Sequence, residues 1–183
     1  MKKVALFLAK GFEEIEAIGT IDILRRAQID VVTISITDNK TVTGTHNIPV
    51  IADKTLNDTD FENFDMIILP GGMPGTTNLG NHQGVNKVIK SFAAEGKLVA
   101  AICAAPSVLG QAGLLEGKKA TCYPSFEEYM KGAICSTDKV VRDGNVITSR
   151  GMGTAIPFAL ELVSYFQGEE AAKELGASIM FNE

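Results

Sequence analysis

One strand-to-helix junction constrains the fold of this chain more than any other feature of its sequence. Residues 97–102 are predicted to form a short buried strand, and residues 104–111 a helix. Cys103 falls at the junction, which predicts a nucleophile elbow, a tight turn that presents one side chain at the carboxyl edge of a sheet. Such a crowded turn needs small residues two positions away on either side, and these are Ala101 and Ala105.

The elbow gives the cysteine two interpretations. In the first, the free N–H groups at the start of the following helix point at the sulfur, lower the thiol pKa and favour a reactive thiolate. In the second, Cys103 is a buried structural residue, because free cysteines are among the most buried residues. The junction alone leaves both open.

Strands alternate with helices along the chain. Apolar runs typical of buried parallel strands occur at 4–9, 30–37, 66–69 and 97–102. Helices are predicted at 13–27, 85–94, 104–111, 154–166 and 169–175. A β-excursion is expected over 39–53, a short strand at 120–122, and a hairpin of 139–141 with 145–149 across Asp143-Gly144. This order predicts an α/β sandwich with a mostly parallel sheet, in one domain over residues 1–183.

Composition narrows the class of protein. The 183 residues carry a net charge of −5 and no cluster of Lys and Arg, which argues against nucleic acid as a main partner. Neither a membrane span nor a signal peptide is expected, because the sequence has no long apolar run and opens on a strand. The three cysteines lack Cys-x-x-Cys spacing, so we expect no disulfide framework, no metal site and a cytoplasmic location.

The chemically interesting residues are expected at the carboxyl ends of the parallel strands, where ligands bind in such sheets. The Gly71-Gly72 pair follows the 66–69 strand, and its N–H groups suit an oxyanion hole, although a plain turn is the alternative. Neither a dinucleotide fingerprint nor a Walker loop is present, so no cofactor is expected, with a flavin left open.

Four motifs together carry a resemblance to a known family. They are Gly-Phe-Glu-Glu-Ile-Glu-Ala at 11–17, Leu-Pro-Gly-Gly-Met-Pro-Gly at 69–75, Ala-Ala-Ile-Cys-Ala-Ala-Pro at 100–106 and Thr-Ser-Arg-Gly-Met-Gly-Thr-Ala at 148–155. In this order the chain resembles the ThiJ/PfpI superfamily, and within it the branch of the parkinsonism-associated protein deglycase and its bacterial relatives. The resemblance implies a flavodoxin-like three-layer sandwich and a homodimer.

The same resemblance assigns roles to individual residues. Cys103 matches the reactive cysteine, and Glu16 matches the glutamate whose carboxyl contacts that sulfur. A half-buried carboxyl beside a thiolate is expected to have a raised pKa and to donate a hydrogen bond to the sulfur. Gly72 and Ala104 would supply the N–H groups of the oxyanion hole. Arg150 would bind an anionic or carbonyl group near the pocket.

One departure from the family pattern concerns histidine. Tyr123 stands where the human-type pattern has a histidine, and Ala104 stands where the protease-like branch has one. The two histidines, His46 and His82, lie in other segments. A Cys–His pair is therefore unsupported, which disfavours a cysteine amidase or protease. Tyr123 is expected either to hydrogen-bond a substrate oxygen or to pack.

Several neighbouring side chains are expected to be structural. Glu13 and Glu14 are predicted to lie on a solvated face, because carboxylates suit the first turn of a helix. Cys122 is predicted to be a packing residue, and a resolving thiol for Cys103 is the alternative.

The leading hypothesis is a cofactor-independent, cysteine-dependent glyoxalase or protein deglycase. The resemblance implies this activity on reactive carbonyls such as methylglyoxal and on glycated protein, which carries their adducts. Cys103 would add to the carbonyl, and Glu16 would move a proton between carbon atoms. The alternative is a redox sensor or chaperone in which oxidation of Cys103 is the output.

Overall fold

A seven-stranded sheet lies at the centre of the fold in this computed structural model, which describes residues 1–181. The strands are β1 Lys3–Leu8, β2 Asp30–Ser35, β3 Thr41–Thr43, β4 Pro49–Ile51, β5 Lys54–Thr55, β6 Met66–Leu69, β7 Leu98–Ile102, β8 Lys119–Thr121, β9 Ile134–Ser136, β10 Val140–Asp143 and β11 Val146–Ser149. The helices are α1 Glu14–Arg26, α2 Gly75–Asn81, α3 Gln83–Ala94, α4 Pro106–Gln111, α5 Ala155–Gln167 and α6 Glu169–Ser178.

The main sheet is almost entirely parallel. Its strand order is β10-β11-β7-β6-β1-β2-β5, and every neighbouring pair is parallel except β10 with β11. The strands β3 and β4 form a separate antiparallel hairpin, and β8 pairs with β9 in a second small sheet. Because β1, β6, β7 and β11 point in one direction, the residues that follow them meet at one edge of the sheet.

Both faces of the sheet are covered by helices. Along β1, Val4, Leu6 and Leu8 belong to the apolar core on one face, and Ala5 and Phe7 belong to the core on the other. Helices α1, α5 and α6 cover the first face, and α2, α3 and α4 cover the second. Burial on both faces explains why the strands are continuous apolar runs. The predicted α/β sandwich is confirmed.

The clearest differences from the predicted elements concern the helices α2 and α4 and the strands β5 and β9. Helix α2 was not predicted, because its sequence is poor in helix-forming residues; buried Leu79 packs it against the core. Strands β5 and β9 were also missed, because they are only two and three residues long. Helix α4 begins at Pro106 rather than at residue 104, because the elbow turn occupies the intervening residues.

No helix among residues 1–181 combines the length and the apolar character that crossing a membrane requires.

Candidate active site

The nucleophile elbow is built by the end of β7. Cys103 has φ 66°, in the left-handed region that residues other than glycine rarely adopt. Its N–H donates to the Ser149 carbonyl at 3.0 Å, and its carbonyl accepts the Tyr123 N–H at 2.8 Å. Ala101 and Ala105 are fully buried around the turn. Neighbouring segments therefore hold the strained residue, and its thiol is partly exposed at the sheet edge.

Glu16 meets Cys103 across Gly71. The Gly71 N–H donates to Glu16 Oε2 at 2.9 Å. A Cβ atom at Gly71 would lie 2.6 Å from Cys103 Cβ and 2.7 Å from Glu16 Oε2, so both side chains converge on this glycine. Glu16 is 1% exposed, and within the described part of the chain its Oε1 has no hydrogen-bond partner. Hydrogen bonding with the Cys103 thiol acts to lower the pKa of this carboxyl, so the sulfur is its chemically relevant neighbour.

The two side chains titrate as a pair. Burial raises the pKa of Glu16 to about 7, and hydrogen bonds with Cys103 and Gly71 offset part of that effect. Burial and the charge of an ionised Glu16 raise the pKa of Cys103 to about 12, although N–H groups of Ala104 and Gly72 act in the opposite direction. Between these values the pair holds a single proton.

The expectation of a lowered thiol pKa is therefore wrong for a Cys103 that faces an ionised carboxylate. The sulfur is partly shielded from water, and a negative charge lies beside it. When Glu16 holds the proton, that charge is absent and the carboxyl donates to the sulfur instead. The thiolate is consequently favoured only in the form of the pair in which Glu16 is neutral.

Two backbone N–H groups face the sulfur. Those of Ala104 and Gly72 form hydrogen bonds with Cys103 that favour its ionised form. Gly72 has φ 90°, and a Cβ atom there would overlap the Glu13 nitrogen and lie 2.6 Å from the Gly11 carbonyl oxygen. Position 72 therefore needs glycine for both its conformation and its close approach to the 11–13 segment.

The side chains of Tyr123 and Arg150 have other neighbours. The half-exposed Tyr123 ring lies against Gly151, and a Cβ atom at Gly151 would be 4.0 Å from Cys103 Sγ. The positive charge of the Arg150 guanidinium acts to lower the pKa of the Cys122 thiol. The buried Nη1 atom of Arg150 has no hydrogen-bond partner among residues 1–181. Cys122 is 1% exposed, and burial raises its pKa to about 12, as suits a packing residue.

The prediction of a solvated Glu14 is wrong. Glu14 is 5% exposed, because the hairpin turn at Gly44 covers it. The approach is so close that a Cβ atom at position 44 would overlap the Glu14 carboxyl group. Its two oxygens bond the backbone N–H and Nδ1 of His46 at 2.7 and 2.9 Å. Burial alone would raise the pKa of Glu14, but these bonds hold it below its usual value. Glu14 thus ties the β3–β4 hairpin to α1, and His46 has this carboxylate as its partner.

One group of side chains in the described residues has the composition of a metal site. Ligand atoms of Glu13, Glu14 and His46 lie within 4.8 Å of one another. Glu13 Oε2 already accepts the Glu16 N–H at 2.7 Å, and both Glu14 oxygens are bonded to His46. The start of α1 also carries a positive partial charge, which disfavours a cation there. This group is better explained as a cap and a hairpin anchor.

Sequence reasoning identified the residues around the sulfur but missed two glycines. Gly71 was assigned to the glycine pair without its bond to Glu16, and Gly151 was part of a motif without a role. Both belong to close approaches between segments that are distant in sequence. Their signal was a glycine two residues after the end of β6 and of β11, where close backbone contacts are common.

Comparison with known proteins identifies the family to which this chain is similar. The DJ-1/PfpI family description matches residues 2–165. DJ-1 homolog B of Arabidopsis thaliana is 43% identical over 98% of this chain, which spans only 41% of that protein's length. The glutathione-independent glyoxalase DJR-1.2 of Caenorhabditis elegans is 34% identical over 95% of this chain and 94% of its own length.

A solved structure shows the same fold over the full length. It is a cysteine-to-alanine mutant of a DJ-1 superfamily protein from Salmonella typhimurium, 38% identical, with a TM-score of 0.96 and complete coverage of both chains. The fold, the motifs around the elbow and the match over residues 2–165 agree. This chain belongs to the DJ-1/PfpI family.

Proposed function

We propose that this protein is a cofactor-independent glyoxalase that converts α-oxoaldehydes such as methylglyoxal to 2-hydroxy acids. One observation carries the proposal: a partly exposed cysteine lies beside a buried glutamate whose pKa is about 7, and two backbone N–H groups face its sulfur. A nucleophile, an acid–base group near neutrality and an oxyanion site are the parts that this reaction needs. The relative named a glutathione-independent glyoxalase supports the same activity.

The first step is addition of Cys103 to the aldehyde carbon. In the reactive form of the pair, the sulfur is a thiolate and Glu16 is neutral. The sulfur forms a bond to C1, the carbonyl π bond breaks, and the oxygen receives the Glu16 proton to give a hemithioacetal. The N–H groups of Gly72 and Ala104, which lie at the sulfur, stabilise the negative charge that develops on this oxygen.

The second step moves hydrogen from C1 to C2. Glu16, now a carboxylate, removes the C1 proton, and the electron pair forms an enediolate. Glu16 returns the proton to C2, while the C1 hydroxyl proton passes to the C2 oxygen. C1 loses the electron pair that reduces C2, so the step needs no external oxidant. Burial of Glu16 limits exchange of this proton with water.

Hydrolysis completes the cycle. The product of proton transfer is a thioester between Cys103 and the 2-hydroxyacyl group. Water adds to C1, the C–S bond breaks, and the sulfur leaves with the pair again holding one proton. Adducts of methylglyoxal on glycated protein belong to the same proposed substrate class, because they retain a masked carbonyl that the thiol can attack.

Trapping the covalent intermediate tests this proposal. Reduced protein is mixed with methylglyoxal, quenched in acid, and mapped by peptide mass spectrometry. An acyl group on Cys103 in the wild type is expected, and hydroxylamine, which releases a thioester as a hydroxamate, distinguishes it from the hemithioacetal of the same mass; Glu16→Gln should retain at most the unrearranged adduct. Absence of any adduct on Cys103, with oxidation of the same sulfur controlling activity toward unfolded proteins, would favour the redox sensor or chaperone instead.

We propose a cytoplasmic location, because the reaction needs a reduced nucleophile. Cys103, Cys122 and Cys135 are all free thiols. Thiols persist in a reducing compartment, which supports a cytoplasmic location as part of this proposal. Fusion of a fluorescent reporter to either end of the chain, followed by fractionation, tests it.

A homodimer is the proposed assembly. Ile15 and Ile18 on α1 are 52% and 42% exposed, and Ile48 and Ile51 of the neighbouring hairpin are 49% and 79% exposed. The Glu14–His46 bonds hold these two elements side by side, so their isoleucines can form one apolar face. Sedimentation equilibrium of the wild type and of Ile51→Lys tests the assembly, with a dimer that dissociates on substitution as the expected result.

A further inference from the structure

Tyr123 is fixed close to the reactive sulfur by its backbone. Its backbone N–H donates to the carbonyl of Cys103 itself at 2.8 Å. Its ring packs edge-on against Phe126, with 6.5 Å between ring centroids. The ring is 50% exposed, so one part is anchored and another part faces solvent.

Gly151 leaves a space that borders both the sulfur and this ring. A Cβ atom at position 151 would lie 3.3 Å from Tyr123 Cδ2, 3.8 Å from Tyr123 Cε2 and 4.0 Å from Cys103 Sγ. Gly151 has φ 163°, an extended backbone that any residue adopts. Glycine is therefore not required here by conformation, and its effect is to keep open the volume between the nucleophile and the aromatic ring.

We propose that Tyr123 and Gly151 form a subsite for the substituent of the oxoaldehyde, and that Tyr123 favours aryl or large apolar substituents over methyl. A carbonyl compound bonded to Cys103 Sγ can extend its substituent into the space at Gly151 and reach the ring. Aromatic contacts contribute enough free energy for a preference of about three- to tenfold. The substrate class rests on the proposed function, whereas the subsite itself concerns any electrophile that reacts with Cys103.

Alkylation of Cys103 tests the subsite independently of turnover. Phenacyl bromide and bromoacetone both form a C–S bond and release bromide, and they differ only in phenyl against methyl. The rate at Cys103 is followed by peptide mass spectrometry, which separates it from exposed Cys135. The phenyl-to-methyl rate ratio cancels differences in thiolate content between variants.

The variants separate an aromatic contact from a general disturbance. Tyr123→Phe should keep the ratio, and Tyr123→Ser should lower it about three- to tenfold. Gly151→Ala should also lower it, because the added methyl group fills the space. Tyr129→Ser is the matched control, an exposed tyrosine that also packs on Phe126, and should leave the ratio unchanged. An unchanged ratio in Tyr123→Ser, or an equal fall in Tyr129→Ser, would overturn the proposal.

Turnover distinguishes failure of the subsite from failure of the function. The same variants are compared by the ratio of kcat/KM for phenylglyoxal to that for methylglyoxal. A changed alkylation ratio without any turnover would retain the subsite and remove the glyoxalase. Turnover of both compounds with a ratio that Tyr123→Ser leaves unchanged would retain the glyoxalase and remove the subsite.

Discussion

Replacing Glu16 by glutamine should stabilise the fold while it removes the acid–base group. The Glu16 pKa is raised from 4.5 to about 7, a difference that corresponds to about 3 kcal/mol in the free energy of unfolding. Glutamine has nearly the same shape, can accept the Gly71 N–H, and carries no charge to desolvate. The variant should therefore be more stable than the wild type by up to about 3 kcal/mol above pH 7.

The stability difference between Glu16→Gln and the wild type should depend on pH. Below pH 4.5 the Glu16 carboxyl is protonated in both the folded and the unfolded protein, so its charge does not contribute to the difference in stability between the variant and the wild type. Between pH 4.5 and about 7 the unfolded chain loses the proton first, and the wild type loses stability as the pH rises. The advantage of Glu16→Gln should thus be below about 1 kcal/mol at pH 5 and should reach its plateau near pH 8.

Urea unfolding at pH 5 and pH 8, under reducing conditions, measures the effect. Glu128→Gln is the control, because Glu128 is exposed and its replacement should change stability little at either pH. A Glu16→Gln protein that is no more stable than the wild type at pH 8 would refute the reasoning. So would an advantage that is equal at the two pH values.

Three further predictions concern the same region. The kcat/KM for methylglyoxal should fall about tenfold per pH unit below about pH 7, because the pair takes up a second proton, and a flat profile of the wild type between pH 5 and pH 7 in a stopped-time lactate assay would contradict this. Gly72→Ala should lower kcat/KM about a hundredfold by shifting one N–H donor, and an unchanged value would remove Gly72 from the oxyanion site. Glu14→Ala should destabilise the fold by about 2 kcal/mol, since two hydrogen bonds to His46 are lost; thermal unfolding that matches the wild type would contradict the anchor.

The elements with strong local signals could be predicted from the sequence. β1 was predictable because both of its faces are buried, which leaves a continuous apolar run. The elbow was predictable because Cys103 lies between such a strand and a helix, with alanines where the turn is crowded. Helix α2 was not, because packing of Leu79 rather than local helix propensity forms it.

The electrostatics of the site could not be predicted from local sequence. The contact of Glu16 with Cys103 depends on the β1-β6-β7 strand order, which brings the ends of three strands together at Gly71. The sign of the Cys103 pKa shift depends on burial and on that neighbouring carboxylate, rather than on the helix that follows. Glu14 occupies a helix start where acidic residues are usually exposed, and a hairpin distant in sequence covers it.

Lactate formation from methylglyoxal by freshly reduced protein, without glutathione, tests the central claim most directly. The wild type should form lactate continuously, and Cys103→Ala and Glu16→Gln should both fall to the background rate while circular dichroism shows that they remain folded. The absence of turnover in the reduced wild type, or turnover that survives in Cys103→Ala, would contradict the account.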